Sequence, residues 1–179
     1  MDFALVLTEV ARFLAGEGAR YGLAGALALN AHGLARATTD LDLVVEARVQ
    51  PALLRFVAAR GYEQLQASAG FSNHLHPDPA WGRLDFIYLD GHTADLLFAR
   101  AQRSRPLGDI EILVPSPEHL VAMKVQAIRN DPSRRFKDLA DIQFLLGLPG
   151  VDEGEIRGYF EQHDLLGSYD ELKRAMAGD

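Results

Sequence analysis

The chain contains no cysteine, which removes disulfide bonds, thiolate metal sites and cysteine nucleophiles together. No apolar run approaches the ~20 residues needed to span a bilayer, so no membrane role is expected. Asp2 and Glu9 interrupt the first apolar stretch and no basic segment precedes it. A signal peptide is therefore not expected, and the expected address is the cytoplasm. Positive charge is also short: 18 Lys and Arg stand against 25 Asp and Glu, a formal net charge of -7. Dedicated nucleic-acid binders neutralise phosphates with cations, so this balance argues against broad nucleic-acid binding, although a local basic patch stays compatible with it. It also suits a site that gathers carboxylates around divalent cations. What is present is the mix of a globular protein, 48% hydrophobic and 24% charged over 179 residues. That length fits one domain, or one domain with a small helical appendage.

Along the chain, Phe3, Val6, Leu7, Val10, Phe13 and Leu14 have the spacing of an amphipathic helix over 2–14. A short strand at 21–25 leads into a helix over 26–32 closed by Gly33. Residues 41–46 read as a strand, with Val44 and Val45 carrying the β preference. Pro51 opens a helix that ends near Gly61, and a strand at 62–66 precedes an irregular stretch, 68–81. Residues 84–89 form a strand stopped by Asp90-Gly91, followed by a helix over 94–102 and a strand over 110–114. Ser116-Pro117-Glu118 is a helix start, and from there the pattern is helical over 117–129, 134–146, 152–163 and 168–177. The expected organisation is a small α/β lobe over 1–115 and a helical lobe over 116–179.

The most informative residues are Asp40-Leu41-Asp42-Leu43. Strand side chains alternate, so both aspartates point one way and both leucines point into the core. Two carboxylates about 7 Å apart along one face repel each other unless a cation sits between them. Mg²⁺ suits that place, since it prefers oxygen and is bound by few carboxylates plus substrate phosphates. In two-metal phosphoryl transfer one ion activates the attacking oxygen and the other steadies the leaving group. Asp85 completes the set, because Leu84 and Phe86 take the opposite face of its strand.

In the helical half, Leu120, Val121, Met123, Val125, Ala127 and Ile128 form one apolar arc with Lys124 in its middle. Lys124 must snorkel along its stem or meet an anion, whether a buried carboxylate or a triphosphate. Asp138 and Asp141 share a face of the next helix, Phe136–Leu146, which reads as apolar nearly all round. Acids on a buried helix need partners, and Lys124, Arg134, Arg135 or a metal can supply them.

Gly25-Ala26 lies where a strand gives way to a helix, with residues 27–39 separating it from Asp40. A glycine turn of this kind can offer backbone N–H groups to a triphosphate. Together with Asp-x-Asp, this arrangement resembles the polymerase-β-like nucleotidyltransferase superfamily. The stretches Gly25–Gly33 and Arg36-Ala37-Thr38-Thr39-Asp40-Leu41-Asp42-Leu43 resemble its AbiEii-type branch, which contains toxins of bacterial toxin–antitoxin pairs. Ala122-Met123-Lys124, Arg129 and Phe136–Ile142 share the likeness. The resemblance covers 20–45, 84–90 and 116–146.

The resemblance implies a nucleotidyltransferase fold, a small mixed β-sheet flanked by helices and followed by a helical lobe. It implies transfer of a nucleoside monophosphate from an NTP to a hydroxyl acceptor with Mg²⁺ or Mn²⁺. Asp40, Asp42 and Asp85 would hold the metal, and Gly25, Ala26, Arg36, Thr39 and Lys124 the nucleotide. Asp141 or Asp138 would orient or deprotonate the acceptor. A tRNA 3′ end or a protein hydroxyl is the acceptor the toxins suggest; a small molecule of antibiotic type is the alternative, and an antitoxin is the implied protein partner. Many members carry glycine or serine where this chain has Ala26, the feature that favours a non-catalytic relative binding NTP or a partner.

Other residues carry weaker signals. His74-x-His76 has transition-metal spacing without a third ligand, and His32 reads as a helix-end residue packing on Tyr21 or Leu34. Arg36 can hold a γ-phosphate or pair with Asp40. Arg100, Arg103 and Arg105 read as a solvated helix end, and Arg134, Arg135 and Lys137 as solvated or as contacts to an RNA backbone.

Overall fold

The Asp2 carboxylate accepts a hydrogen bond from the Leu5 amide at 3.0 Å, satisfying one of the free donors with which a helix begins. The computed structural model describes residues 1–107 and 110–178. Its elements are α1 (Phe3–Gly16), β1 (Tyr21–Leu23), α2 (Gly25–Ala31), β2 (Asp40–Glu46), α3 (Gln50–Ala59), β3 (Glu63–Ala67), β4 (Phe71–Leu75), β5 (Arg83–Leu89), α4 (Gly91–Arg100), β6 (Gln102–Leu107) and β7 (Ile110–Val114). Four helices follow: α5 (Pro117–Asn130), α6 (Arg135–Leu146), α7 (Glu153–Gln162) and α8 (Leu166–Ala177). The chain divides into two units, Met1–Pro115 and Ser116–Asp179.

In the first unit the strands form one mixed sheet in the order β3-β4-β5-β2-β1-β7-β6. The β2–β5 and β1–β7 pairs are parallel and the other neighbours antiparallel. Leu41, Leu43 and Val45 of β2 and Leu84, Phe86 and Tyr88 of β5 are buried on one face. Each such side chain contributes about 1.5–3 kcal/mol by leaving water. Asp40 and Asp42, with Arg83, Asp85 and Ile87, hold the alternate, half-buried positions. Helix α1 buries Val6, Leu7, Val10 and Leu14, and its Phe13 stacks on Phe56 of α3 with ring centroids 4.1 Å apart.

Two stretches differ from the sequence expectation. Part of 68–81, read as irregular, forms β4. Polar side chains occupy its buried positions, which hides the strand from a search for alternating apolar residues. The Ser72 hydroxyl bonds the Tyr88 hydroxyl at 2.7 Å and His74 Nε2 at 2.9 Å, and the His74 ring packs edge-on against Phe86. With every group partnered, the burial costs little. The second difference is β6, where a helix end was expected. Arg103 and Arg105 stand on this strand and reach Glu111 of β7 at 2.6 and 3.6 Å. As the edge strand it tolerates Pro106, whose missing N–H no neighbour requires.

In the second unit the Ser116 side chain caps α5 and Asp152 caps α7. Helix α5 packs on α6 and α7, and α7 on α8, around Val121, Val125, Ile128, Ile142, Leu145, Ile156 and Phe160. Helix α6 is less apolar all round than its composition suggests. Its buried stripe is Asp138, Asp141, Ile142, Leu145 and Leu146, a helical repeat that leaves Phe136 on the far side and 84% exposed.

Candidate active site

The parallel pairing of β2 with β5 sets Asp42 opposite Asp85 and Asp40 opposite Arg83. Neighbouring strands lie about 4.8 Å apart, so the Asp42 and Asp85 backbones are as close as two strands permit. A third element closes on them. The Ala24 amide donates to the Asp42 carbonyl at 2.9 Å, which brings the turn before α2 against β2. Gly25 follows with φ +55, and a Cβ there would lie 2.0 Å from Asp42 Oδ2. Only glycine leaves the carboxylate its space and adopts that backbone without strain.

Each acid is held. The Thr39 hydroxyl donates to Asp40 Oδ1 at 2.8 Å, and the Thr38 hydroxyl accepts from the Asp40 amide at 3.2 Å. Arg83 Nε donates to both Asp85 oxygens, at 2.9 and 3.1 Å. The hydrogen bond that Arg83 donates to Asp85 raises the Arg83 pKa above its ordinary value; partial burial opposes this, and the charges of Asp85, Asp40 and Asp42 add to it. The period of two that selects Asp85 also places Arg83 on the same face, a signal the sequence reading left unused.

Among the described residues, no three His, Asp or Glu side chains already converge as a metal-binding group; Asp85 is bonded by Arg83 and Asp40 by Thr39. The donor set nevertheless fits a hard divalent cation: three carboxylates share one face, two in direct register, and Mg²⁺ takes one or two carboxylates with phosphate and water.

Of the other sequence-selected residues, the Arg36 amide donates to Asn30 Oδ1 at 2.9 Å and its carbonyl accepts from Asn30 Nδ2 at 3.1 Å, closing the loop after α2. Ala26 lies in the first turn of α2, which has no side-chain cap. The helical unit gathers the remaining candidates. Lys124 Nζ donates to Asp138 Oδ1 at 3.0 Å and to Asp141 Oδ2 at 2.5 Å, and Arg134 Nε donates to Asp138 Oδ2 at 3.0 Å. Lys124 thus turns inward to carboxylates, only 13% exposed, rather than snorkelling out.

The two histidines of His74-x-His76 do not act together. His74 bonds Ser72 in the core, whereas His76 Nε2 meets the Arg60 carbonyl at 3.0 Å. His32 Nε2 bonds the Pro115 carbonyl at 2.8 Å, which gives this helix-end residue a polar anchor.

The model of the family described as nucleotidyl transferase AbiEii toxin, type IV TA system, matches residues 11–178. The chain belongs to this family. This AbiEii-family protein is accordingly a nucleotidyltransferase, and its mixed sheet is that of solved nucleotidyltransferases. The antibiotic-resistance factor ANT(2'')-Ia superposes with TM-score 0.63 at 12% identity, over 100% of both chains. An antigenic nucleotidyltransferase-like protein from Paracoccidioides brasiliensis gives TM-score 0.56 at 18% identity, over 98% of this chain and 92% of that one. The lincosamide antibiotic adenylyltransferase LnuA, lincomycin-bound, gives 0.52 at 15%, over 79% and 95%. At these identities the likeness shows the fold. No curated relative matches significantly. No helix among the described residues of this AbiEii-family chain is long and apolar enough to cross a membrane.

Proposed function

We propose that this AbiEii-family chain moves a nucleoside monophosphate from an NTP to a hydroxyl acceptor, using a divalent cation held by Asp40, Asp42 and Asp85. The observation that carries the reading is the contact of the Gly25 backbone with the carboxylate of Asp42, itself in register with Asp85. The turn at Gly25-Ala26 offers its backbone to the triphosphate, and Thr39 steadies Asp40. Mg²⁺ or Mn²⁺, when bound, supplies Lewis-acid polarisation of phosphate and hydroxyl oxygens. The acceptor oxygen forms a bond to the α-phosphorus, and the bond to the bridging oxygen breaks with pyrophosphate carrying the electron pair. The hydroxyl proton passes to Asp85 or, by the family resemblance, to Asp141 or Asp138. A phosphate contact by Lys124 has to compete with both of these aspartates. The acceptor classes are a tRNA 3′ end, a protein hydroxyl or a small molecule, and the family's toxin–antitoxin description supports an antitoxin partner. A second reading, NTP or partner binding without transfer, draws on Ala26 and on the hold of Arg83 over Asp85.

The test is transfer of label from each α-³²P-NTP with Mg²⁺ or Mn²⁺ to total tRNA, to the protein itself and to a small-molecule panel, alongside Asp42→Ala. Label that appears on one acceptor and is lost in the variant supports transfer. NTP binding without label on any acceptor favours the second reading, and no NTP binding overturns the transfer reading and leaves only partner binding.

A further inference from the structure

On the open face of the sheet, strand register aligns one residue from each of four strands: Asp42 (β2), Asp85 (β5), Asn73 (β4) and Gln66 (β3). Gly25 contacts the Asp42 end of this row. Asn73 therefore lies one strand beyond Asp85 and Gln66 two strands beyond, about 5 and 10 Å away at ordinary strand spacing. Asn73 is half-buried and Gln66 exposed. Alternation keeps Ser72 and His74 beneath, in the core, so the upper face of β4 shows Phe71, Asn73 and Leu75. Phe71 pairs across to Ile87, and Leu75 to Arg83 on one side and Glu63 on the other.

In-line displacement fixes which end of the row does what. The leaving pyrophosphate and the attacking oxygen lie on opposite sides of the phosphorus. With the phosphate turn at the Asp42 end, the acceptor enters from the Asn73 end. We infer that Asn73 and Gln66 position the acceptor, and that it is a sugar ring with vicinal hydroxyls, one attacking while its neighbour is held by the Asn73 carboxamide. This rests on the transfer reading above.

A carboxamide both donates and accepts, which matches a second hydroxyl beside the attacking one; a serine or tyrosine side chain has no such neighbour to offer. Phe71 and Ile87 give the ring's C–H edge an apolar border. In the reaction the oxygen of one ring hydroxyl bonds to the α-phosphorus, its proton passes to the Asp85 carboxylate, and pyrophosphate leaves with the electrons of the broken bond. Charge favours a free glycoside over an RNA end: Glu63 closes the adjoining row, and its cation, Arg83, is engaged by Asp85.

The full chain is assayed with α-³²P-NTP and Mg²⁺ on methyl β-riboside, its 2-deoxy counterpart, methanol, and an RNA oligonucleotide ending in a 2′,3′-diol. NTP binding is measured separately by calorimetry. The riboside is expected to be labelled in preference to the deoxy sugar and methanol. Asn73→Ala should raise its KM about tenfold with a smaller change in kcat and unaltered NTP binding, Gln66→Ala should act in the same direction, and Asn73→Gln should recover part of the loss. Label confined to the RNA but equally sensitive to Asn73→Ala supports the diol and assigns its source to an RNA terminus. Equal labelling of riboside and deoxy sugar, indifference to Asn73→Ala, or bound NTP with no diol labelled overturns the inference. Failure of NTP binding instead overturns the underlying transfer reading.

Discussion

Replacing Gly25 with alanine tests the site at its tightest point. A Cβ at this position would stand 2.0 Å from Asp42 Oδ2, 2.5 Å from its Cγ and 2.9 Å from its Cβ, so reaching even 3.0 Å moves the carboxylate by at least about 1 Å. The backbone adds its own cost: φ is +55, and holding a non-glycine residue there takes about 1–3 kcal/mol. A displacement of about 1 Å at a reacting group lowers rates by about 10²-fold. Gly25→Ala is therefore expected to lose about 1–3 kcal/mol in urea unfolding and about 100-fold in kcat/KM for NMP transfer. Gly33→Ala separates the two effects. Gly33 has φ +103, but nothing lies within 4 Å of its absent Cβ. That variant should lose stability of the same order and keep its activity. If the two variants were equally active, the contact with Asp42 would have no catalytic consequence, and the placement of the phosphate turn against the acids would be refuted.

Removing the Arg83 guanidinium, as in Arg83→Met, frees Asp85 and should tighten Mn²⁺ binding by about fivefold, since a partly exposed ion pair is worth roughly 1 kcal/mol or less; calorimetry showing unchanged or weaker binding would contradict this. Lys124→Met leaves Asp138 and Asp141 buried without their shared cation and should cost about 3–5 kcal/mol in denaturant unfolding, with Lys124→Arg milder; a loss below 1 kcal/mol would mean that the cluster is not a structural unit. Burial pushes His74 below the ordinary imidazole range, with the Asp85 charge opposing. Its folded pKa then lies under its unfolded one, so its contribution to stability is complete above about pH 6.5 and fades as pH falls through the folded value. Unfolding midpoints of the wild type and His74→Gln measured from pH 7.5 to 5 should therefore converge toward acid, and parallel curves would exclude the linkage.

The shared face of Asp40 and Asp42 is legible because period two leaves a strand no alternative, and the same rule extends to Asp85. The inward lysine of α5 is legible from its apolar arc, although the wheel leaves its partner open. Strand β4 is not legible: Ser72 and His74 satisfy each other and Tyr88, and hydrogen bonds between strands 16 residues apart leave no mark on local pattern. Nor is β6, where Arg103 and Arg105, with Arg100 before them, read as a solvated helix end until Glu111 on the facing strand supplies a counter-charge. Phe136 shows a further limit: composition makes α6 apolar all round, but the buried stripe starts two residues later and turns the ring outward. Arg83 is legible by the same alternation, since it stands two residues before Asp85 on one strand.

The buried hydroxyl–imidazole chain beneath β4 works as a key for alignment. A slip of β4 by one residue would expose Ser72 and His74 above and drive Asn73 into the hydrocarbon beneath, exchanging every side chain between the two faces. The Ser72–Tyr88 bond crosses from β4 to β5 and forms only in the native alignment, with His74 bonded to the same Ser72 hydroxyl, so a hidden lock decides what the opposite surface shows. Substitutions at these three positions, none of them on the acid-bearing surface, could therefore change which molecules the upper surface accepts without touching any reacting group. Selection for a new acceptor then has two routes, exchanging surface side chains one by one or re-cutting the key below and moving the whole strand at once.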